Sequence, residues 1–201
     1  MPPLPPVTTA LMLMCTAVFV LQMLRPMGPI TALMALGPRD SGRFWPWQVV
    51  SYGFLHGDML HLFFNMFGLY MFGSELERLW GTRRFIHMLL ASVIAAALVQ
   101  LVFNLVAGSR APTVGASGAL FGLLLSFGML FPNRIIMPLF PPIPMKARTF
   151  VMVFGGIELF FGLQGSGGVA HFAHLGGMLG AWVMINWWRG KLPFSDQRRR
   201  R

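Results

Sequence analysis

Long apolar runs, separated by short polar or proline-rich breaks, account for most of this chain. Six of them approach the length of a membrane-crossing helix, which needs about 20 apolar residues. The runs are Val7 to Leu24, ended by Arg25-Pro26; Met59 to about Phe72, polar at its start; Phe85 to Ala107; about Ala116 to Phe131, closed by Pro132-Asn133-Arg134; Thr149 to Leu163; and Val169 to Trp188. The second, fourth and fifth are short for a full crossing, so they are expected to start or end against protein instead of lipid. The pattern predicts an all-α membrane protein with six transmembrane helices, about 7–24, 59–72, 85–107, 116–131, 149–163 and 169–188. They form one membrane-embedded unit over residues 1–201, with a basic tail at 189–201 and neither an internal repeat nor a soluble second domain.

Between the runs, the segment from Arg25 to Leu55 carries Phe44-Trp45-Pro46-Trp47, an aromatic cluster suited to the headgroup region, and is expected to be partly embedded. The prolines from Pro138 to Pro144 break any helix there. Gly162 to Gly168 reads as a flexible loop. Met1 to Ala10 has four prolines and no charge, so it lacks the basic start of a signal peptide and the first run is kept as a span.

Composition agrees with this pattern and removes the rivals. Apolar types make up 55% of the 201 residues and charged types 11%, against about 25% charged in soluble domains. A soluble globule could not cover itself with so few polar groups, and a disordered chain would hold far less apolar side chain. The net charge of +10 would suggest nucleic acid in a soluble protein. Here the cations sit in short loops and in the tail Gln197 to Arg201. That placement signals topology and attraction to anionic lipid, with no nucleic-acid partner. Six spans put both termini on one side, which holds twelve of the sixteen Lys and Arg residues, so the positive-inside rule makes both termini cytoplasmic. Cys15 is alone and forms no internal disulfide.

Polar groups inside a bilayer are costly, and here they align. Spans two, four and six run in the same direction, and each carries its unusual polar residues near its outer start. These are His56, His61 and Asn65; then Gly115-Ala116-Ser117-Gly118; then His171 and His174. Ser117 is a candidate nucleophile. The glycines beside it, Gly115 and Gly118, permit tight backbone geometry, and a helix start offers free N–H groups to an oxyanion. A serine needs a base within hydrogen-bond reach, and His174, followed by Gly176-Gly177, is the candidate. Gly176 and Gly180 form a small face expected to let the two helices approach. The small residues around Ser117, including the Gly118–Gly122 pair, also fit plain helix packing. His61 and Asn65, four apart, share a helix face and suit either oxyanion donation or interhelical bonding. His56 is read as structural, bonding the outer loop. Glu158, the one acid deep in a span, is expected to bond a neighbouring helix or face a water-filled cavity. No H-E-x-x-H occurs, and neither a metal nor a cofactor is expected.

In order and spacing, four segments resemble the rhomboid intramembrane serine proteases: His56-Gly57-Asp58-Met59-Leu60-His61-Leu62-Phe63-Phe64-Asn65, Glu77-Arg78-Leu79-Trp80-Gly81, Gly115-Ala116-Ser117-Gly118 and Ala173-His174-Leu175-Gly176-Gly177. The resemblance implies a six-transmembrane-helix rhomboid-like bundle of the basic bacterial type, with site roles carried over residue by residue. Ser117 matches the nucleophile and His174 the general base, as a dyad without an aspartate. His61 and Asn65 match the side-chain oxyanion donors, joined by the Ser117 backbone N–H. His56 matches the histidine that anchors the outer loop, and Glu77 a structural acid at the inner end of span two. His174, unlike His171, fits the H-x-G-G pattern. Three positions depart from the family: Trp47-Gln48 replaces a Trp-Arg pair, Phe121 replaces a tyrosine and Ala181 replaces a glycine.

The implied activity is intramembrane serine endopeptidase, acting on transmembrane protein substrates in the lipid bilayer of a bacterial inner membrane. A rhomboid-like pseudoprotease that binds clients without cutting typically lacks nucleophile or base, and this chain has both. A small transporter would show flux and no cleavage.

Overall fold

The computed structural model describes residues 3–24, 28–38, 42, 44–139, 142–165 and 169–191. The basic tail beyond 191, the glycines at 167 and 168, and Arg25, Arg39 and Arg43 of the topology count lie outside the described residues. Among the described residues, nine α-helical segments follow in order: α1 (Pro6–Leu24), α2 (Pro29–Met34), α3 (Gln48–Ser51), α4 (Met59–Gly68), α5 (Ser74–Trp80), α6 (Thr82–Ala107), α7 (Ser117–Leu130), α8 (Ala147–Gln164) and α9 (His171–Trp188). A π-helical turn at Leu69–Gly73 joins α4 to α5, so the helix that starts at Met59 runs beyond Phe72 to Trp80. Among the described residues, three helices are long and apolar enough to cross a membrane: α1, α6 and α8. Leu13, Leu24, Leu105, Val106 and Leu163 are all at least 65% exposed. Such exposure along helices this apolar fits contact with lipid.

α6 is the spine. Its 26 residues span about 39 Å, more than the roughly 30 Å of a hydrocarbon core. α9 lies along it through glycine: a Cβ on Gly176 would stand 2.8 Å from the Ala95 carbonyl oxygen, and one on Gly180 would overlap the Ala91 carbonyl. The Gly176–Gly180 face is therefore turned to α6. The serine helix α7 instead meets α9 at Gly177, packed on the Gly118 backbone. That corrects the reading in which Gly176 and Gly180 bring the serine helix close. Spacing identifies a small face but not the neighbour it will meet.

The segment ahead of α4 is folded back over the bundle. Tyr52 is buried and its hydroxyl donates to the Val93 carbonyl at 2.9 Å. Leu36 and Thr113 exchange two backbone hydrogen bonds of 3.0 Å. The fully buried Gln48 holds this segment together. Its Oε1 accepts from the Gly37 and Trp45 N–H groups at 3.1 Å, and its Nε2 donates to the Leu33 carbonyl at 3.3 Å. Trp47 Nε1 donates to the same carbonyl at 3.0 Å. A neutral amide at position 48 thus supplies both donor and acceptor to the loop.

On the opposite side, Glu77 caps a helix 70 residues away in sequence. Its carboxylate accepts from the Val7 N–H at 2.9 Å, and from the Thr8 N–H and hydroxyl at 2.8 Å. These are free donors at the start of α1, where negative charge is favoured. Glu77→Ala is expected to cost about 3 kcal/mol, because it strands buried donors and removes charge-assisted bonds. Reversible SDS unfolding in mixed micelles measures it, and an unchanged midpoint would contradict the capping role. Between α7 and α8, Ile135–Ile136 and Met145–Lys146 form a two-residue antiparallel pair, Ile135 opposite Lys146. Arg134 beside it pairs with Glu75 of α5.

Candidate active site

Ser117 is the first residue of α7, and the backbone before it is held tightly. The Gly115 N–H donates to the Tyr52 carbonyl at 3.0 Å. Gly115 has φ of +124°, and a Cβ there would stand 2.8 Å from His61 Cε1 and Nε2 and 3.5 Å from Ser117 Oγ. Only glycine suits both that backbone and that space. It leaves the His61 ring and the serine hydroxyl on the same side of the chain. Ser117 is half-buried, so its hydroxyl remains accessible.

His174, one turn into α9, brings its Nε2 to 2.7 Å from Ser117 Oγ. Phe121, one turn along α7 from Ser117, stacks on the His174 ring with centroids 4.3 Å apart and planes 5° apart. The start of α9 is fixed from α6: Gln100 Oε1 accepts from the Ala173 N–H at 3.1 Å, while its Nε2 donates to Asn104 Oδ1 at 2.8 Å. The sequence reading did not single out Gln100, although an amide inside an apolar span is itself a signal.

The other face of His174 meets Glu158 from α8. Glu158 Oε2 lies 2.8 Å from His174 Nδ1 and 2.6 Å from His171 Nδ1. The His171 contact has hydrogen-bond geometry. The His174 contact is as close, but the oxygen approaches obliquely, outside the angular range of a hydrogen bond. These three residues also offer one ligand atom each within 4.8 Å, a donor set zinc accepts. An ion there would have to draw Oε2 away from both rings.

α4 contributes its first turn. Asp58 caps it, accepting from the His61 N–H at 2.8 Å. His61 Nδ1 accepts from the Gly57 N–H at 3.3 Å, which leaves the ring proton on Nε2, the nitrogen nearest Gly115. Asn65 is buried and donates one Nδ2 hydrogen to the His61 carbonyl at 2.8 Å. Its Oδ1 has no partner among the described residues. His56 packs edge-on against His61, centroids 5.1 Å apart. Burial, and secondarily the nearby His61, push the His56 pKa down to about 4. The ring is thus neutral at ordinary pH. The link from this turn to α1 runs through the backbone of His56, whose N–H donates to Gln22 Oε1 at 3.1 Å and whose carbonyl accepts from Gln22 Nε2 at 3.2 Å.

A base poised on a hydroxyl, a neighbouring N–H donor and a helix start are the parts that acyl transfer requires. Comparison with known proteins points the same way. The family model described as Rhomboid domain matches residues 43–189. The chain is 33% identical over 156 residues to the mitochondrial Rhomboid protein 1 of Saccharomyces cerevisiae, covering 76% of this chain and 44% of the yeast protein. It is 26% identical over 185 residues to the rhomboid protease GlpG of Yersinia pestis, covering 90% of this chain and 62% of that protein. The GlpG of Yersinia enterocolitica matches at 26% over 183 residues. The chain therefore spans 44% to 62% of the length of these relatives.

Proposed function

The chain belongs to the rhomboid family, and from that premise we propose that it is an intramembrane serine endopeptidase. The observation that carries this reading is the 2.7 Å approach of Ser117 Oγ to His174 Nε2, from two separate helices. In the proposed reaction, Ser117 Oγ attacks a peptide carbonyl carbon while His174 Nε2 takes its proton. His61 Nε2–H, the Asn65 amide and the Ser117 N–H hold the resulting oxyanion. The intermediate collapses, the C–N bond breaks, and His174 gives the proton to the leaving amine. Water then attacks the acyl-serine, losing its proton to His174, and Ser117 is regenerated.

Helix length supports the bilayer setting. α7, at 14 residues, spans about 21 Å and cannot cross a core of roughly 30 Å. Its far end is followed by Arg134, paired with Glu75, which belongs at the headgroups. Its serine end is then the one within the membrane. In this reading six spans form the bundle, both termini are cytoplasmic in a bacterial inner membrane, and the site lies below the outer leaflet. Substrates are transmembrane segments entering sideways from lipid near α8. A helix hides its peptide bonds, so cleavage falls where small, helix-breaking residues let the segment unwind.

The test is the purified protein in liposomes with a fluorescent transmembrane substrate. Cleavage in the outer third of the segment, with a fluorophosphonate attached at Ser117, is the expected result. Client binding with neither cleavage nor labelling would replace the protease reading with that of a pseudoprotease.

A further inference from the structure

We infer that Glu158 is a positioning residue for His174, completing a Ser–His–Glu arrangement in which His171 fixes the carboxylate. This rests on the proteolytic reading above and adds to it a third member that the dyad expectation lacks. For His174 Nε2 to accept the Ser117 proton, the resting ring proton must sit on Nδ1. That nitrogen faces Glu158 Oε2 at 2.8 Å. A carboxylate at this position favours the required tautomer and stabilises the imidazolium formed when the serine proton moves.

The carboxylate is itself oriented. His171 Nδ1 meets the same oxygen at 2.6 Å and donates to it. The two rings lie at 86° with centroids 6.4 Å apart, so one oxygen serves both from different directions. The carboxylate oxygen is already within bonding distance of His174 Nδ1, and catalytic hydrogen bonds commonly tighten when substrate binds. Glu158, with 9% exposure, has little water to replace these partners. A buried carboxylate shared by two imidazoles is costly unless both contacts are kept. An ion bridging the three residues is the competing use of the cluster. The short Oε2 contacts to both rings leave no room for one without rearrangement.

The experiment uses the full chain in liposomes, with wild type, Glu158→Gln, Glu158→Asp and His171→Ala compared for kcat, KM, fluorophosphonate labelling rate and thermal midpoint. Glu158→Gln is expected to lower kcat and the labelling rate about 100-fold, with KM within about twofold and the fold retained. Glu158→Asp, which keeps the charge, should recover about tenfold of that loss, and His171→Ala should lose about fivefold. Wild-type activity should survive a metal chelator. Wild-type kcat in Glu158→Gln, equal activity in the Gln and Asp variants, or loss of wild-type activity on chelation would each overturn the inference. If Glu158→Gln does not fold, Glu158→Asp decides: a fall in kcat at constant KM supports the role, and an unchanged kcat overturns it. Failure of the wild type to cut or label removes the protease reading itself, a different result from any of these.

Discussion

Ser117→Ala is expected to reduce kcat for a reconstituted transmembrane substrate by at least about 10⁴-fold, with the thermal midpoint nearly unchanged. The substitution removes one half-buried oxygen and leaves the first turn of α7, the Gly115 bend and the Tyr52 contact in place. What remains is a site that binds a peptide and polarises its carbonyl without a nucleophile. His174→Ala should lose a comparable factor, because Ser117 Oγ is left with no base at 2.7 Å. It also uncovers the stacked face of Phe121, so its stability must be read beside its rate. The informative measurement is the double variant. Two groups that act as one unit lose their effect together, so Ser117→Ala/His174→Ala should be no slower than the worse single variant. Losses that multiply would mean that the two residues work independently and that their close approach is only packing. Single-turnover cleavage followed by gel separates these outcomes, since it is free of product-release steps.

The positions of Ser117 and His174 were legible because each signal is local. Glycine beside a serine, and glycine beside a histidine, stand out in apolar runs, and the shared direction expected for spans two, four and six predicts that they lie at one depth. The helical segments themselves follow from run length and from proline or charged breaks. What was not legible depends on the rotation of one helix against another. Glu158 is a single acid in the run Thr149 to Leu163. Nothing in that run says which residues on α9 it faces, and the sequence reading left it between a helix contact and a water-filled cavity. Gly176 and Gly180 mark a small face, yet only the fold assigns it to α6. Gln48 looked like a departure from a family pattern. Its role as a loop clasp needs the Gly37, Trp45 and Leu33 backbone groups to converge on it, and they come from separate points along the chain. Glu77 was readable as a structural acid, but its partner, the start of α1, is far away in sequence.

Gly177→Ala is expected to be the most damaging small substitution in the bundle, costing about 3 kcal/mol and lowering kcat about 100-fold. A Cβ on Gly177 would overlap the Gly118 carbonyl oxygen and stand 2.7 Å from its carbon and 3.2 Å from its Cα. These are backbone atoms of a helix, so no side-chain rotation relieves the clash. α7 and α9 must move apart, and the gap opens beside the site: Gly118 follows Ser117, and Gly177 lies one turn from His174. A separation of about 1 Å would break the Ser117–His174 contact, and misplacement of that size commonly costs about 100-fold in rate. Gly156→Ala in α8 is the control. A Cβ there meets nothing within 4 Å, and alanine is the better helix former by about 1 kcal/mol, so that variant should be neutral or stabilised with full activity. Reversible SDS unfolding and liposome cleavage of both variants decide the matter. Equal stability of the two would mean that the glycine contact between α7 and α9 is looser than the structure has it. A destabilised Gly177→Ala that kept full activity would mean that Ser117 and His174 meet independently of the contact that joins their helices.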